Sequence, residues 1–98
     1  MAIRSFRDKG TEELVQGLLN KRTRKLLPSG LHRTALKKLH ILRAAKRLSD
    51  LRNFPGLKLE RLKGQRKDEY SIRINDQYRI CFRWEEGDSL DATIEDYH

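Results

Sequence analysis

The sequence predicts an α+β fold, with two helices packed on one face of a small, largely antiparallel five-stranded sheet in the order β-α-α-β-β-β-β. Three observations predict it. A chain of 98 residues can build one hydrophobic core but not two, so residues 1–98 are expected to form a single domain. Ile72, Ile74, Tyr78, Ile80, Phe82 and Trp84 repeat with a period of two, and Ser71, Arg73, Arg79, Cys81 and Arg83 fill the alternate positions, which is the pattern of a β-hairpin. Leu31, Ala35, Leu39, Leu42 and Ala45 recur instead at helical spacing and place one apolar stripe along a helix.

Taken in order, Ile3 to Phe6 reads as a short strand with Arg4 and Arg7 exposed. Thr11 is expected to cap a first helix, with Glu12 and Glu13 complementing its positive end and Leu14, Val15, Leu18 and Leu19 forming its apolar face. Residues 20–30 carry the basic run Lys21-Arg22-Thr23-Arg24-Lys25 without apolar periodicity and then Pro28-Ser29-Gly30, and so read as a connection. The second helix is expected from Leu31 to about Leu51, closed by the turn at Phe54-Pro55-Gly56. Leu57 to Lys63 reads as a strand, and Gly64 to Asp68 leads into the hairpin. Asn75 and Asp76 form the hairpin tip, since short polar side chains tolerate left-handed backbone and bond locally. Glu85-Glu86-Gly87-Asp88 makes a second turn, after which Leu90, Ala92 and Ile94 alternate with Asp91, Thr93 and Glu95 in a last strand.

Charge narrows the partners. Lys and Arg number 22 against 14 Asp and Glu, a net of +8. Residues 1–56 hold 14 basic and 4 acidic side chains, a net of +10, whereas residues 57–98 hold 8 and 10, a net of −2. Such a balance favours anionic partners, with nucleic acid ahead of an acidic protein segment. Cys81 is the only cysteine, so neither an intramolecular disulfide nor a thiolate cluster is expected. His32 and His40 lie eight residues apart without a carboxylate or cysteine at ligand spacing, so no metal and no cofactor is expected. The first residues lack a continuous apolar run and no long one follows, which points to a cytoplasmic protein with no membrane role.

If helices cover the apolar face of the sheet, the opposite face is the broad surface left for chemistry. Arg73, Arg79 and Arg83 lie on it, Lys63 and Arg66 come from the end of the preceding strand, and the chain finishes Asp96-Tyr97-His98. Guanidinium groups held on strands suit phosphate, because their planar donors bond two oxygens and their charge opposes that which builds during phosphoryl transfer. Arg73 and Arg83 are equally placed to pair across strands with Glu95 or Asp91. RNA cleavage needs no metal if a base deprotonates the 2′-hydroxyl, a cation stabilises the phosphorane and an acid protonates the departing 5′-oxygen. Glu60, His98, Tyr97, Lys63 and Arg79 offer those residue types. A Ser-His-Asp triad, a Gly-rich phosphate loop and a paired-carboxylate site are not discernible.

Four stretches carry a resemblance. Ile3-Arg4-Ser5-Phe6, Leu59-Glu60-Arg61-Leu62-Lys63-Gly64-Gln65-Arg66, the hairpin Asn75-Asp76-Gln77-Tyr78-Arg79-Ile80 and the ending Glu95-Asp96-Tyr97-His98 resemble HigB-type toxins of the RelE/ParE toxin-antitoxin superfamily. The resemblance implies a small sheet-and-helix toxin that enters the ribosomal A site and cuts translated mRNA. It also implies a cognate HigA-type helix-turn-helix antitoxin. By position, Asp96, Tyr97 and His98 fall on the family's catalytic terminus, Lys63 on its active-site lysine and Arg79 on its hairpin arginine. Where several members place a histidine, this chain has Glu60, a carboxylate that phosphates would repel unless Lys63 or Arg79 offsets it. Arg66, Arg73 and Arg83 are the expected RNA-binding residues. Two other classes compete with the endoribonuclease: a ParE-like poison of DNA gyrase that acts by binding, and a non-catalytic nucleic-acid-binding module.

Overall fold

Asp8, not Thr11, starts the first helix. The computed structural model describes residues 3–96, and in it α1, Lys9–Val15, is capped by the Asp8 carboxylate, which accepts from the Thr11 amide at 2.8 Å. Thr11 sits three residues further on, fully buried, and its hydroxyl accepts from the Ile94 amide at 3.1 Å. The residue expected to cap the helix therefore ties it to the sheet. Gly17, with φ +82°, ends this segment in a left-handed turn that a side chain would strain.

Among the described residues the expected two helices become four. Residues read as a basic connection form α2, Lys21–Leu26, nucleated by a reciprocal cap: Thr23 donates its amide to the Asn20 side chain, and Asn20 donates its amide to Thr23 Oγ1. A six-residue helix shows no apolar period, which is why its sequence reads as coil. The long helix expected to reach Leu51 stops as α3, His32–Ala44, and resumes as α4, Leu48–Arg52. Between them Ala45 turns extended, and the Asp50 carboxylate accepts from the amides of Lys46 and Arg47 at 2.9 and 3.0 Å. A short 3-10 turn follows at Pro55–Leu57.

Among the described residues the sheet has four strands, not five: β1 Glu60–Arg61, β2 Glu69–Arg73, β3 Tyr78–Glu85 and β4 Asp88–Asp96, antiparallel and in sequence order. The N-terminal segment pairs with β4 through two isolated parallel bridges, Ile3 with Ser89 and Phe6 with Ala92, and not as a continuous strand among the described residues. Between them the Ser5 hydroxyl accepts from the Asp91 amide at 2.9 Å, where a continuous ladder would need a main-chain oxygen. The strand expected over residues 57–63 is reduced to two residues because Leu57 belongs to the 3-10 turn and Lys58 adopts a left-handed backbone.

Helices cover one face of the sheet. Ile72, Ile80, Phe82 and Ile94 from the strands meet Leu39, Leu42 and Leu51 from the helices in one buried cluster. Each such side chain contributes on the order of 1.5–3 kcal/mol by leaving water. Tyr70 stacks on Phe82 at 6.1 Å and Trp84 meets it edge-on at 6.4 Å, extending the core along β3. β4 carries a bulge: Arg83 pairs with Leu90 and Cys81 with Thr93, so Phe82 faces both Asp91 and Ala92, and Asp91 has φ +53°. This offset breaks the simple alternation expected of Leu90, Ala92 and Ile94, leaving Leu90 half-buried and drawing Ser89 fully inside.

Candidate active site

The face of the sheet away from the helices divides into two ends, and the cross-strand register sets which residues share each. Glu69 pairs with Arg83 at one end; Arg73 pairs with Arg79, and Arg79 with Glu95, at the other; Glu60, Ser71, Cys81 and Thr93 form the row between. Strand alternation places all of these side chains on one side. The arginines of this face were expected to meet phosphate or, for Arg73 and Arg83, equally to pair with carboxylates across strands, and most of these cations meet carboxylates.

Arg66, on the 3-10 turn Gly64–Arg66, lies across two of them. Its guanidinium donates to both oxygens of Glu95, at 2.9 and 2.6 Å, and to both oxygens of Glu69, at 3.2 and 2.9 Å. Arg7 joins from the N-terminal segment, 3.2 Å from Glu69 and 3.8 Å from Glu95. The hydrogen bonds from Arg66 hold the Glu69 carboxyl below the usual carboxylate range and raise the pKa of Arg66. Arg83 lies 3.5 Å from Asp68 and 3.3 Å from Asp91, one of the two cross-strand partners expected for it. Arg73 instead pairs with Asp76 at the hairpin tip. Cys81 lies buried in the same face, and its thiol is pushed up to about 11, chiefly by burial.

Arg79 differs from the others in being buried. Only 7% of its side chain is exposed, against 53% for Glu60, a carboxylate partner at 3.6 Å. Nε donates to Ser71 Oγ at 2.8 Å, and Nη2 donates to the Lys58 carbonyl at 2.7 Å and the Ser71 carbonyl at 3.3 Å. Lys58 can offer that carbonyl because its backbone turns left-handed, φ 47°, at the end of the Pro55–Leu57 turn. A buried guanidinium beside an exposed carboxylate gives the face a fixed cation next to a carboxylate that solvent and substrate can reach.

The remaining expected residues are placed as follows. Lys63 is exposed, three residues beyond Glu60, and makes no ion pair with a described residue. Asp96 pairs in register with Tyr78, one step from the Arg79 and Glu95 pair and on the other face, where it accepts from Gln77 Nε2 at 3.0 Å. Tyr97 and His98 lie outside the described residues. The structure thus brings together Arg79 and Glu60, seats Arg83 in ion pairs at the other end of the face, and lays Arg66 between the ends, bonded to Glu69 at one and to Glu95 at the other. Two groups escaped the sequence reading, Ser71 and the carbonyl of Lys58. Ser71 stands on the polar side of the hairpin pattern, diagonal to Arg79, and that position was its one signal. No helix among the described residues is long and apolar enough to cross a membrane.

Comparison with known proteins identifies the family and the fold. Residues 4–98 match the model of a family described as the RelE-like toxin of type II toxin-antitoxin system HigB. The chain is similar to Toxin HigB-1 of Vibrio cholerae, 41% identical over 90 residues that span 92% of each protein. It is also similar to an uncharacterized protein of Haemophilus influenzae, 35% identical over 66 residues covering 67% of this chain and 65% of that one. Among solved structures, YoeB from Staphylococcus aureus, determined as a dimer, superposes with a TM-score of 0.53 at 18% identity, over 100% of this chain and 99% of the other. At that identity the likeness is one of fold.

Proposed function

Because the chain belongs to the HigB-like family of RelE-like toxins of type II toxin-antitoxin systems, we propose that it acts as an endoribonuclease that cuts mRNA in the ribosomal A site and so stops translation. The observation that carries this reading is the ion pair between the buried Arg79 and the exposed Glu60. In the proposed reaction the RNA's own 2′-oxygen attacks the adjacent phosphorus, a base takes the 2′-proton, and the 5′-oxygen leaves with a proton from an acid. The products are a 2′,3′-cyclic phosphate and a 5′-hydroxyl, and no external nucleophile is consumed.

Glu60 takes the part of the base, with Arg79 offsetting the repulsion between its carboxylate and the phosphates. Arg79 and Lys63 oppose the charge that grows on the phosphorane, and His98, with Tyr97 and Asp96 beside it in sequence, supplies the acid. Arg73 and Arg83 flank the path of the RNA, where a phosphate can share the guanidinium with a carboxylate. Arg66 is the RNA-binding candidate with the least to offer, since both of its edges already meet carboxylates. The site is an open face of a sheet, so the ribosome supplies the alignment of the mRNA that the protein lacks; holding reactants in line can be worth on the order of 7–11 kcal/mol. The cognate partner in this reading is a HigA-type helix-turn-helix antitoxin, and the compartment is the cytoplasm where ribosomes work.

The test is to induce the protein in bacteria and map mRNA 5′ ends for wild type, Arg79→Ala and His98→Ala. New 5′ ends within translated codons, lost in both variants while the proteins stay folded, support the proposal. Growth arrest with intact mRNA overturns it, and a DNA-damage response in place of translation loss would assign the protein to the gyrase-poison class.

A further inference from the structure

We propose that Ser71 is a positioning residue for Arg79: its hydroxyl, with the Lys58 carbonyl, fixes the plane of the guanidinium so that the Nη1 edge faces Glu60 and the RNA phosphate. This inference rests on the reading of Arg79 given above. Its observations are geometric. Ser71 is fully buried in the middle of β2, and its hydroxyl accepts from Arg79 Nε at 2.8 Å. The Ser71 carbonyl accepts from Nη2 at 3.3 Å and the Lys58 carbonyl from the same nitrogen at 2.7 Å. Three acceptors therefore grip the Nε and Nη2 side of the fork, while Nη1 lies 3.6 Å from Glu60 Oε1.

Arginine keeps several rotatable bonds, and a guanidinium that is free to turn about its last bond offers phosphate a smeared charge. Bonding Nε to a side chain on an inner strand removes that rotation before substrate arrives, which is the preorganisation that electrostatic stabilisation of a transition state requires. Serine fits because its hydroxyl is short enough to sit between strands and presents lone pairs to a donor at Nε. Its place in the register explains how it reaches. Ser71 pairs with Cys81 and Arg73 with Arg79, so Ser71 and Arg79 are diagonal neighbours on one face of the hairpin. Alanine at this position would leave Nε, in a buried setting, without the acceptor that orients it.

The experiment combines NMR with single-turnover cleavage of a defined mRNA on purified ribosomes. In the wild-type protein the Arg79 Nε–Hε signal, assigned by its disappearance in Arg79→Lys, should be sharp and slow to exchange with water. In Ser71→Ala it should shift and exchange at least about tenfold faster, and the cleavage rate should fall about tenfold or more with the half-saturating concentration unchanged, as expected for loss of one hydrogen bond to a charged group. Ser71→Thr, which keeps the hydroxyl, should restore both. Arg79→Lys provides a second route that leaves Ser71 intact: it keeps the charge but not the fork, and should lose cleavage as Ser71→Ala does. Wild-type exchange and wild-type cleavage in Ser71→Ala, or full cleavage by Arg79→Lys, overturns the positioning role. Altered exchange in Ser71→Ala with cleavage untouched by both Ser71→Ala and Arg79→Ala would overturn instead the reading of Arg79 on which the proposal rests.

Discussion

Replacing Arg66 by methionine tests whether the ion-pair cluster that spans the open face of the sheet holds the fold together. Methionine keeps the aliphatic stem and removes the guanidinium, so packing changes little. What is lost is a fork bonded to both oxygens of Glu95 and both oxygens of Glu69. The side chain of Glu69 is only 10% exposed and that of Glu95 28%, and after the change Arg7 still lies 3.2 Å from the first and 3.8 Å from the second. A fully buried pair broken on one side costs about 3–5 kcal/mol. Because 36% of the Arg66 side chain is exposed, water screens part of this and the expected loss is about 2–3 kcal/mol. For a domain of 98 residues, that lowers the melting temperature by roughly 10–20 °C.

Urea unfolding of wild type and Arg66→Met at pH 7 measures the loss, and repeating it toward acid checks its origin. Arg66 holds the folded-state pKa of Glu69 below its unfolded value, so this contribution is fully present above about pH 4.3 and disappears as pH falls through the lower folded value. The gap between the two proteins should therefore narrow below about pH 4. A gap smaller than about 0.5 kcal/mol at pH 7 would mean that the cluster is solvated surface, and a gap constant to strong acid would mean that carboxylate pairing is not its source. Unchanged stability with lost mRNA cleavage would return Arg66 to the RNA.

Two further outcomes follow from the same structure. Asp8→Ala removes a carboxylate that accepts from the Thr11 amide at 2.8 Å and from Thr93 Oγ1 at 2.6 Å, so it should cost about 1–2 kcal/mol in denaturant unfolding, whereas Asp8→Asn should keep most of that. The Cys81 thiol, buried and pushed up to about 11, should resist alkylation at pH 8 in the folded protein and react at an ordinary rate in denaturant; rapid labelling without denaturant would show that the open face breathes.

The hairpin from Glu69 to Glu85 was legible in the sequence because alternation of Ile72, Ile80 and Phe82 with polar neighbours admits one period. α2 and the break at Ala45 were not, since each is set by a single side chain reaching a backbone amide, Asn20 in one case and Asp50 in the other, and neither leaves a periodic trace. The polar side of the hairpin was legible as polar but not as buried. Ser71 and Cys81 are covered there because charged side chains from the Gly64–Arg66 turn, the N-terminal segment and the neighbouring strands fold over them, and the pattern of one strand cannot reveal what lies above it. Arg79 was named among the candidate side chains by residue type, and it was singled out from the other arginines of the hairpin by the family resemblance. Arginines are seldom buried, and nothing along the chain signals that the Lys58 carbonyl and Ser71 will enclose this one.

The lacing of residues 3–7 along β4 bears on the order in which the domain assembles. Arg4 reaches Asp88, and Ser5 reaches Asp91, across more than eighty positions of chain. The meander β2-β3-β4, by contrast, joins strands that follow one another directly. Closing the longer loop costs more chain entropy, so the meander is expected to form first and the N-terminal segment to dock after it. Until it does, the outer edge of β4 stands open as a template for another strand. A binding partner that supplied such a strand would compete with the completion of folding itself, and would meet the toxin before it is finished.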